Sequence, residues 1–371
     1  MILHFLTDDK FSDYVLSQFA SHEMHSEFLV ISETRILKNI SRRKDLIIIN
    51  PNSEDFTRVV NELSVYHAIV FHGLFWPWEE YVLQHVPNQV KVAWMFWGGE
   101  IYGRKDLQGS FLAPRTKRVL FWHTIKRGIK HRGKSNCTYE IPKEFYKRID
   151  FCLTDIPEEF QFASGYLGNS MEHLLYNYYS IEDTLGDAVN LSVEGNNILL
   201  DNSGTIEGNH FDAIPLIKRG VLDKESRVVV PLSYGDSWVI NRIIKEGEKS
   251  FKTAFTPVKG FLPRNEYNRL LSCCSIAIMN HYRPQALGNI ITSLWLGARV
   301  YMSEKSLQYT YFKRIGIKLF SIEKDLSKDL AISIEKLSRK DMMENRRILY
   351  AYYGKETVDA RVKEIVKTLD S

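Results

Sequence analysis

Short apolar runs rich in Ile, Val and Phe alternate along this chain with stretches of helical period, and the alternation occurs twice over. Runs at residues 2–6, 28–31, 46–49, 68–71 and 90–96 are separated by amphipathic segments, such as 11–19 and a helix opened by Ser53 with Glu54 and Asp55 in its first turn. A serine cap followed by acids suits the unpaired N–H groups and the positive dipole end of a helix start. Strands buried on both faces read as continuous apolar runs, so the pattern predicts βαβ units and a parallel sheet.

After Tyr179 the chain turns polar and weakly patterned, IEDTLGDAVNLSVEGN, and the run 198–200 starts the alternation again. Strands at 228–230, 276–279 and 300–302 follow, with helices from about 238, at 265–271 and at 289–296. These elements predict an α/β chain of two doubly wound, Rossmann-like domains facing an interdomain cleft. The predicted divisions are an N-terminal domain 1–190, a C-terminal domain 191–345 and a C-terminal helix 346–371 packing partly on the first domain. A length of 371 residues is consistent with two domains, at about 150 residues each.

Several classes drop out. No apolar run reaches the roughly 18 residues a spanning helix needs, and the opening MILHFLTDDK carries Asp8 and Asp9 but no basic leader region. The chain therefore reads as soluble or lying on a membrane without crossing it. Cys137, Cys152, Cys273 and Cys274 form neither a C-x-x-C spacing nor a disulfide framework, which points to a reducing compartment and no zinc site. A net charge of +4 is too balanced to indicate nucleic acid. Neither a G-x-G-x-x-G after the first strand nor a G-x-x-x-x-G-K-[ST] is present, so dehydrogenase and kinase readings lose their support.

In open parallel sheets ligands sit beyond the carboxyl ends of the strands, so the chemistry is expected in the loops there. After 198–200 come Asp201, Asn202, Ser203, Gly204 and Thr205, then Asn209 and His210 at a helix start. Small polar residues and glycine before a helix expose N–H groups and a favourable dipole to a phosphate, although Asn202 and Ser203 read equally as turn and cap residues. After 276–279 come Arg283, Gln285, Gly288 and Asn289. Arg283 supplies a charged fork, and two such loops on one domain fit a diphosphate. In the first half, run 68–71 ends in His72 and run 90–96 is followed by Glu100, so a histidine and a glutamate are expected at strand ends facing the cleft. Either could take a proton from an acceptor hydroxyl.

Residues 107–139 contain no acid, yet hold Arg115, Lys117, Arg118, Lys126, Arg127, Lys130, Arg132 and Lys134 among Phe111, Phe121 and Trp122. Such a segment suits an anionic membrane surface, and equally a plain solvated basic face.

Five segments carry a family resemblance: FHG at 71–73, WGGEIY at 97–102, ILLDNSG at 198–204 with Asn209 and His210, VVVP at 228–231 with Tyr234, and RPQALG at 283–288. In order and spacing they resemble the TDP-N-acetylfucosamine:lipid II N-acetylfucosaminyltransferases, glycosyltransferase family 56. The family's WGADLY-like segment has Asp where this chain has Glu100, and its QQGIG differs from the Gln285, Ala286, Leu287, Gly288 found here. The resemblance implies a GT-B glycosyltransferase of bacterial envelope polysaccharide synthesis, peripheral on the inner, cytoplasmic face of the cytoplasmic membrane. The donor would be a nucleoside diphosphate sugar, TDP-linked, held by Asn202, Ser203, Gly204, Asn209, His210, Tyr234, Arg283, Gln285, Gly288 and Asn289. The acceptor would be a lipid-linked or cell-surface glycan precursor, met by Glu100 or His72. Arg115, Lys117, Arg118, Trp122, Lys126, Arg127 and Lys130 would face the membrane. No cofactor and no metal are expected, since no D-x-D motif is present. A nucleotide-sugar epimerase of the same architecture and a non-catalytic sugar-binding subunit stand as alternatives.

Overall fold

The computed structural model describes residues 1–9, 11–20, 26–41, 46–130, 139–220, 225–326 and 336–371, with the backbone alone at 127–130. Two compact units emerge from its contacts.

The first unit holds strands β1 (Ile2–Leu6), β2 (Ser26–Ile31), β3 (Ile47–Ile49), β4 (Ala68–His72), β5 (Lys91–Met95), β6 (Phe151–Thr154) and β7 (Glu172–Leu175) in the order β3-β2-β1-β4-β5-β6-β7. Each neighbouring pair is parallel, with Ile2 opposite both Ser26 and Ala68. β1 and β4 are buried along their whole length, which is why both lack polar alternation. One face of the sheet packs Ile2, Leu6, Val30 and Val70 against Val15 and Phe19 of helix Ser12–Ala20 and Val362, Ile365 and Leu369 of helix Lys355–Asp370. Ser53 caps helix Glu54–Asn61 as predicted, its Oγ accepting from the Phe56 N–H at 3.2 Å.

The second unit holds β8 (Asn197–Leu200), β9 (Val228–Pro231), β10 (Phe255–Val258), β11 (Cys274–Met279), β12 (Arg299–Met302) and β13 (Phe320–Ser321) in the order β10-β9-β8-β11-β12-β13, again all parallel. Leu200, Val230 and Ile278 pack with Phe211 and Ile214 of helix His210–Lys218 and Ile243 of helix Ser237–Phe251. In both sheets the order reverses beside the first strand, between β1 and β4 and between β8 and β11. Loops diverge there, which opens a crevice.

Strands β6, β7, β10 and β13 went unpredicted. They are short, β7 is half-exposed and polar at one end, and β10 contains Pro257, which suits an edge strand. The units also differ from the predicted divisions at 190 and 345. Residues Leu107–Ser135 and Ile181–Gly354 cluster together, whereas Lys355–Ser371 cluster with the first unit. The cause at 107–135 is hydrogen bonding: Asp212 accepts from the N–H groups of Arg115 and Thr116, both at 2.8 Å, and from Thr116 Oγ1 at 2.7 Å. Helix Pro114–Lys130 is thereby fastened to helix His210–Lys218.

Candidate active site

Both loops chosen from the second half leave β8 and β11, the two strands that flank the crevice. Asp201 directly follows β8 in a left-handed conformation (φ 63°), which is rare for a residue with a side chain. Its carboxylate is fully buried and lies 2.7 Å from His281 Nε2 and 3.3 Å from His210 Nε2. Burial alone pushes the Asp201 carboxyl up, but the two histidines and the Asn202 N–H outweigh it and hold the carboxyl below the usual range. Burial lowers the His210 imidazole, against a partial opposing pull from Asp201. Gly208 makes room for this cluster, since a Cβ there would fall 1.7 Å from Asp201 Oδ2.

The loop after β8 also meets the loop after β9. Gly204 N–H donates to Tyr234 C=O at 2.8 Å, and Gly235 (φ 127°) runs alongside Gly204 so closely that a Cβ on it would lie 2.4 Å from the Gly204 carbonyl carbon. Asn202 Nδ2 donates to the Tyr234 hydroxyl at 2.5 Å, leaving Asn202 Oδ1 buried without a hydrogen-bond partner. Ser203 Oγ lies 3.1 Å from Thr205 Oγ1.

On the loop after β11, Arg283 Nη1 donates to the Pro284 carbonyl at 3.2 Å. Gln285 N–H donates to Gln308 Oε1 at 3.1 Å, while Gln285 Nε2 is buried and unpartnered. Ala286 in left-handed conformation precedes helix Leu287–Leu296, which begins two residues earlier than predicted, so Gly288 and Asn289 sit in its first turn. First-turn N–H groups lie outside the helical ladder and favour anions. Asn289 Nδ2 is engaged by the Tyr267 hydroxyl at 2.7 Å.

The structure separates the residues assigned to the donor into two sets. Asn202, Ser203, Tyr234, Arg283 and Gln285 lie on the loops themselves. Asn209 and His210 are buried behind them. Asn209 Oδ1 accepts from the Ala113 N–H at 2.7 Å, and its Nδ2 donates to the carbonyls of Asn280 (3.0 Å) and Phe111 (3.2 Å). With its amide so occupied, Asn209 braces the loops, which corrects the expectation that it touches the donor directly. His281 and Asp201 escaped assignment because their neighbours are distant in sequence, and Gly235 and Gly208 because their close contacts are tertiary.

In the first unit, β4 and β5 are adjacent as expected, but His72 and Glu100 point away from each other. His72 lies opposite Met95, on the face that carries Ile2 and Val70. There it is 2 % exposed, with Nε2 3.0 Å from His4 Nδ1. Burial drives His4 down to about 3 and His72 well below its usual range, aided by His4. The pair is neutral and enclosed, which corrects the expectation that His72 faces a cleft. Glu100 instead accepts at Oε1 from the indole N–H of Trp94, on the opposite face of the sheet, and from the Trp97 N–H, both at 3.0 Å. Its Oε2 is buried without a partner, and burial pushes the carboxyl up to about 7 against the pull of these N–H donors. A second carboxyl, unassigned from sequence, lies at the end of the next strand: Asp155 follows β6, has an unpartnered buried Oδ2 and is pushed by burial to about 7. The run before it and Pro157 after it were the available signal.

Helix Pro114–Lys130 turns Thr116 inward and stacks His123 on Trp238 at 3.7 Å. Its outer surface exposes Phe121 and Trp122, each 60 %, and Ile125, beside Lys117, Arg118 and Lys126. Arg115 is turned aside to Glu246 at 3.7 Å. The side chains of Arg127 and Lys130, and residues Arg132 and Lys134, lie outside the described residues. Among the described residues no group of three or more His, Cys, Asp or Glu could hold a metal ion, and no helix is long and apolar enough to cross a membrane.

Two parallel α/β units of this kind, with anion-suited loops at the crevice of the second, are the GT-B fold of nucleotide-sugar glycosyltransferases, and solved structures agree. A glycosyltransferase from Rickettsia africae matches with a TM-score of 0.64 at 14% identity, over 99% of this chain and 98% of that one. Sucrose-phosphate synthase from Thermosynechococcus elongatus matches at 0.62 and 11%, over 99% and 98%. Anabaena HepE, solved with UDP and glucose, matches at 0.53 and 10%, over 100% and 99%. No curated protein matches the chain's sequence. A family model described as 4-alpha-L-fucosyltransferase, glycosyl transferase group 56, matches residues 155–355, and the chain belongs to that family. It is a glycosyltransferase.

Proposed function

We propose that this glycosyltransferase moves a deoxy-amino hexose, or a related hexose, from a TDP-linked donor to a lipid-linked or cell-surface glycan precursor at the inner face of a bacterial cytoplasmic membrane. The observation that carries the donor half is the pair of loops after β8 and β11. Among the described residues Asn202 Oδ1 and Gln285 Nε2 are buried there with no hydrogen-bond partner, and Arg283 has donors to spare beyond its bond to Pro284. A diphosphate and a sugar hydroxyl supply what those groups lack. As the glycosidic carbon–oxygen bond to phosphate breaks, Arg283 and the first turn of helix Leu287–Leu296 stabilise the charge arriving on the leaving diphosphate. That stabilisation comes from protein groups, and no metal is assigned a role.

Glu100 is assigned the acceptor proton. Its free Oε2 accepts the proton as the acceptor oxygen bonds to the anomeric carbon, and a carboxyl lifted to about 7 is basic enough for the task near neutral pH. His72 has no part in this step. The lipid half of the proposal is supported by the exposed stripe of Phe121, Trp122 and Ile125 bordered by Lys117, Arg118 and Lys126. Residues three and four apart share a helix face, and a face of aromatics and cations suits an anionic lipid surface.

The test follows nucleoside diphosphate release from dTDP-, UDP- and GDP-hexoses, with and without a bacterial lipid extract. Release from a dTDP-hexose that depends on the extract is the expected result. Interconversion of the sugar without release would identify an epimerase, and binding without turnover a binding subunit.

A further inference from the structure

We infer that Asp201 and His281 are a positioning pair that sets the spacing of the two donor loops and keeps a buried negative charge from opposing the donor diphosphate. The inference rests on the donor site proposed above and adds to it two residues that touch no ligand. Asp201 directly precedes Asn202, and His281 stands two residues before Arg283. The 2.7 Å bond between them is completely buried and joins the end of β8 to the end of β11. A second tie runs parallel to it, with Asn209 Nδ2 donating to the Asn280 carbonyl at 3.0 Å and Asn280 Nδ2 returning to the Asn209 carbonyl at 3.2 Å.

Two ties from one loop to the other fix distance, but only one of them involves charge. A buried carboxylate behind a phosphate-binding loop opposes the ligand less when hydrogen-bond donors within the protein satisfy and screen it. His281 Nε2 does this on Oδ1, and His210 lies 3.3 Å from Oδ2. Asp201 must also hold its left-handed backbone, and Gly208 must lack a side chain, for the carboxylate to reach both. His281, His210, the left-handed backbone of Asp201 and the bare Gly208 thus all serve the one buried carboxylate between the two loops.

The experiment measures calorimetric affinity for dTDP, UDP and GDP, and for dTMP as a less charged probe. His281→Leu, which removes the N–H, should weaken the tightest diphosphate at least tenfold and dTMP by less. His281→Gln, which keeps an N–H at similar reach, should stay within about threefold of wild type. Asp201→Asn/His281→Leu should recover most of the loss, because the uncompensated charge is gone. Should His281→Leu not fold, Asp201→Asn alone against His281→Gln, read by the ratio of diphosphate to dTMP affinity, keeps the comparison. Unchanged diphosphate affinity in folded His281→Leu, or equal loss in the Leu, Gln and double variants, overturns the pairing while leaving the donor site standing. Wild-type protein that binds none of the three diphosphates overturns the donor site and this role with it.

Discussion

The indole N–H of Trp94 donates to Glu100 Oε1 at 3.0 Å, and the other carboxylate oxygen of Glu100 is buried with no hydrogen-bond partner among the described residues. The geometry anchors the side chain by one oxygen and leaves the second to exchange a proton. Glu100→Gln retains the acceptor for Trp94 and Trp97 and loses the basic oxygen. Turnover should fall roughly 100-fold or more with donor affinity preserved. In the wild type, kcat/KM should rise with pH through about 7. Loss of that limb in the Gln variant, read from residual turnover, is the check.

The same residue makes a stability prediction of definite sign. A carboxyl raised from 4.5 to about 7 by folding favours the folded state most below pH 4.5, and that contribution is lost as pH rises through 7. The loss is on the order of 3 kcal/mol. Relative to wild type, Glu100→Gln should therefore gain in Tm on going from pH 5 to pH 8, a difference that scanning calorimetry reads directly.

His72→Leu separates burial from catalysis. It strands His4 Nδ1, so stability should fall by about 1–3 kcal/mol. Turnover of the folded fraction should stay within a few-fold of wild type, because the imidazole is enclosed in the core. A loss comparable with that of Glu100→Gln would return the proton-transfer role to His72.

Arg283→Ala should weaken donor binding by about 1.5–3 kcal/mol, the range for a charge-assisted hydrogen bond. Among the described residues its one hydrogen bond goes to the carbonyl of the next residue, so little fold stability should go with it. Calorimetry with the nucleotide and a melting curve measure the two effects separately.

Reversing Lys117, Arg118 and Lys126 to Glu should reduce binding to anionic vesicles by well over tenfold, at about 1 kcal/mol per lost cation before repulsion is added. Wild-type binding should also weaken with salt. Duplex DNA and single-stranded RNA at the same ionic strength provide the comparison, and preference for either would remove the membrane from the account.

Much of this was legible locally. Apolar runs disclose strands that are buried on both faces, Ser53 with Glu54 and Asp55 discloses a helix start, and glycine with small polar residues after a strand discloses the loops at 201–205 and 283–288. Those signals lie within a few residues of what they specify. The loops flank the crevice of the second sheet because β8 and β11 lie side by side there.

The sequence by itself determined two parallel α/β sheets, nine of their strands and the loops that carry the candidate donor residues. Tertiary structure decided the rest, since burial and charge depend on neighbours far along the chain. Asn209 became a brace through Ala113, 96 residues away, and Asp201 acquired its histidine 80 residues away. His72 and Glu100, alike as polar groups at strand ends, were divided by which face of one sheet each side chain enters. That choice left one a neutral core imidazole and the other a carboxyl titrating near 7.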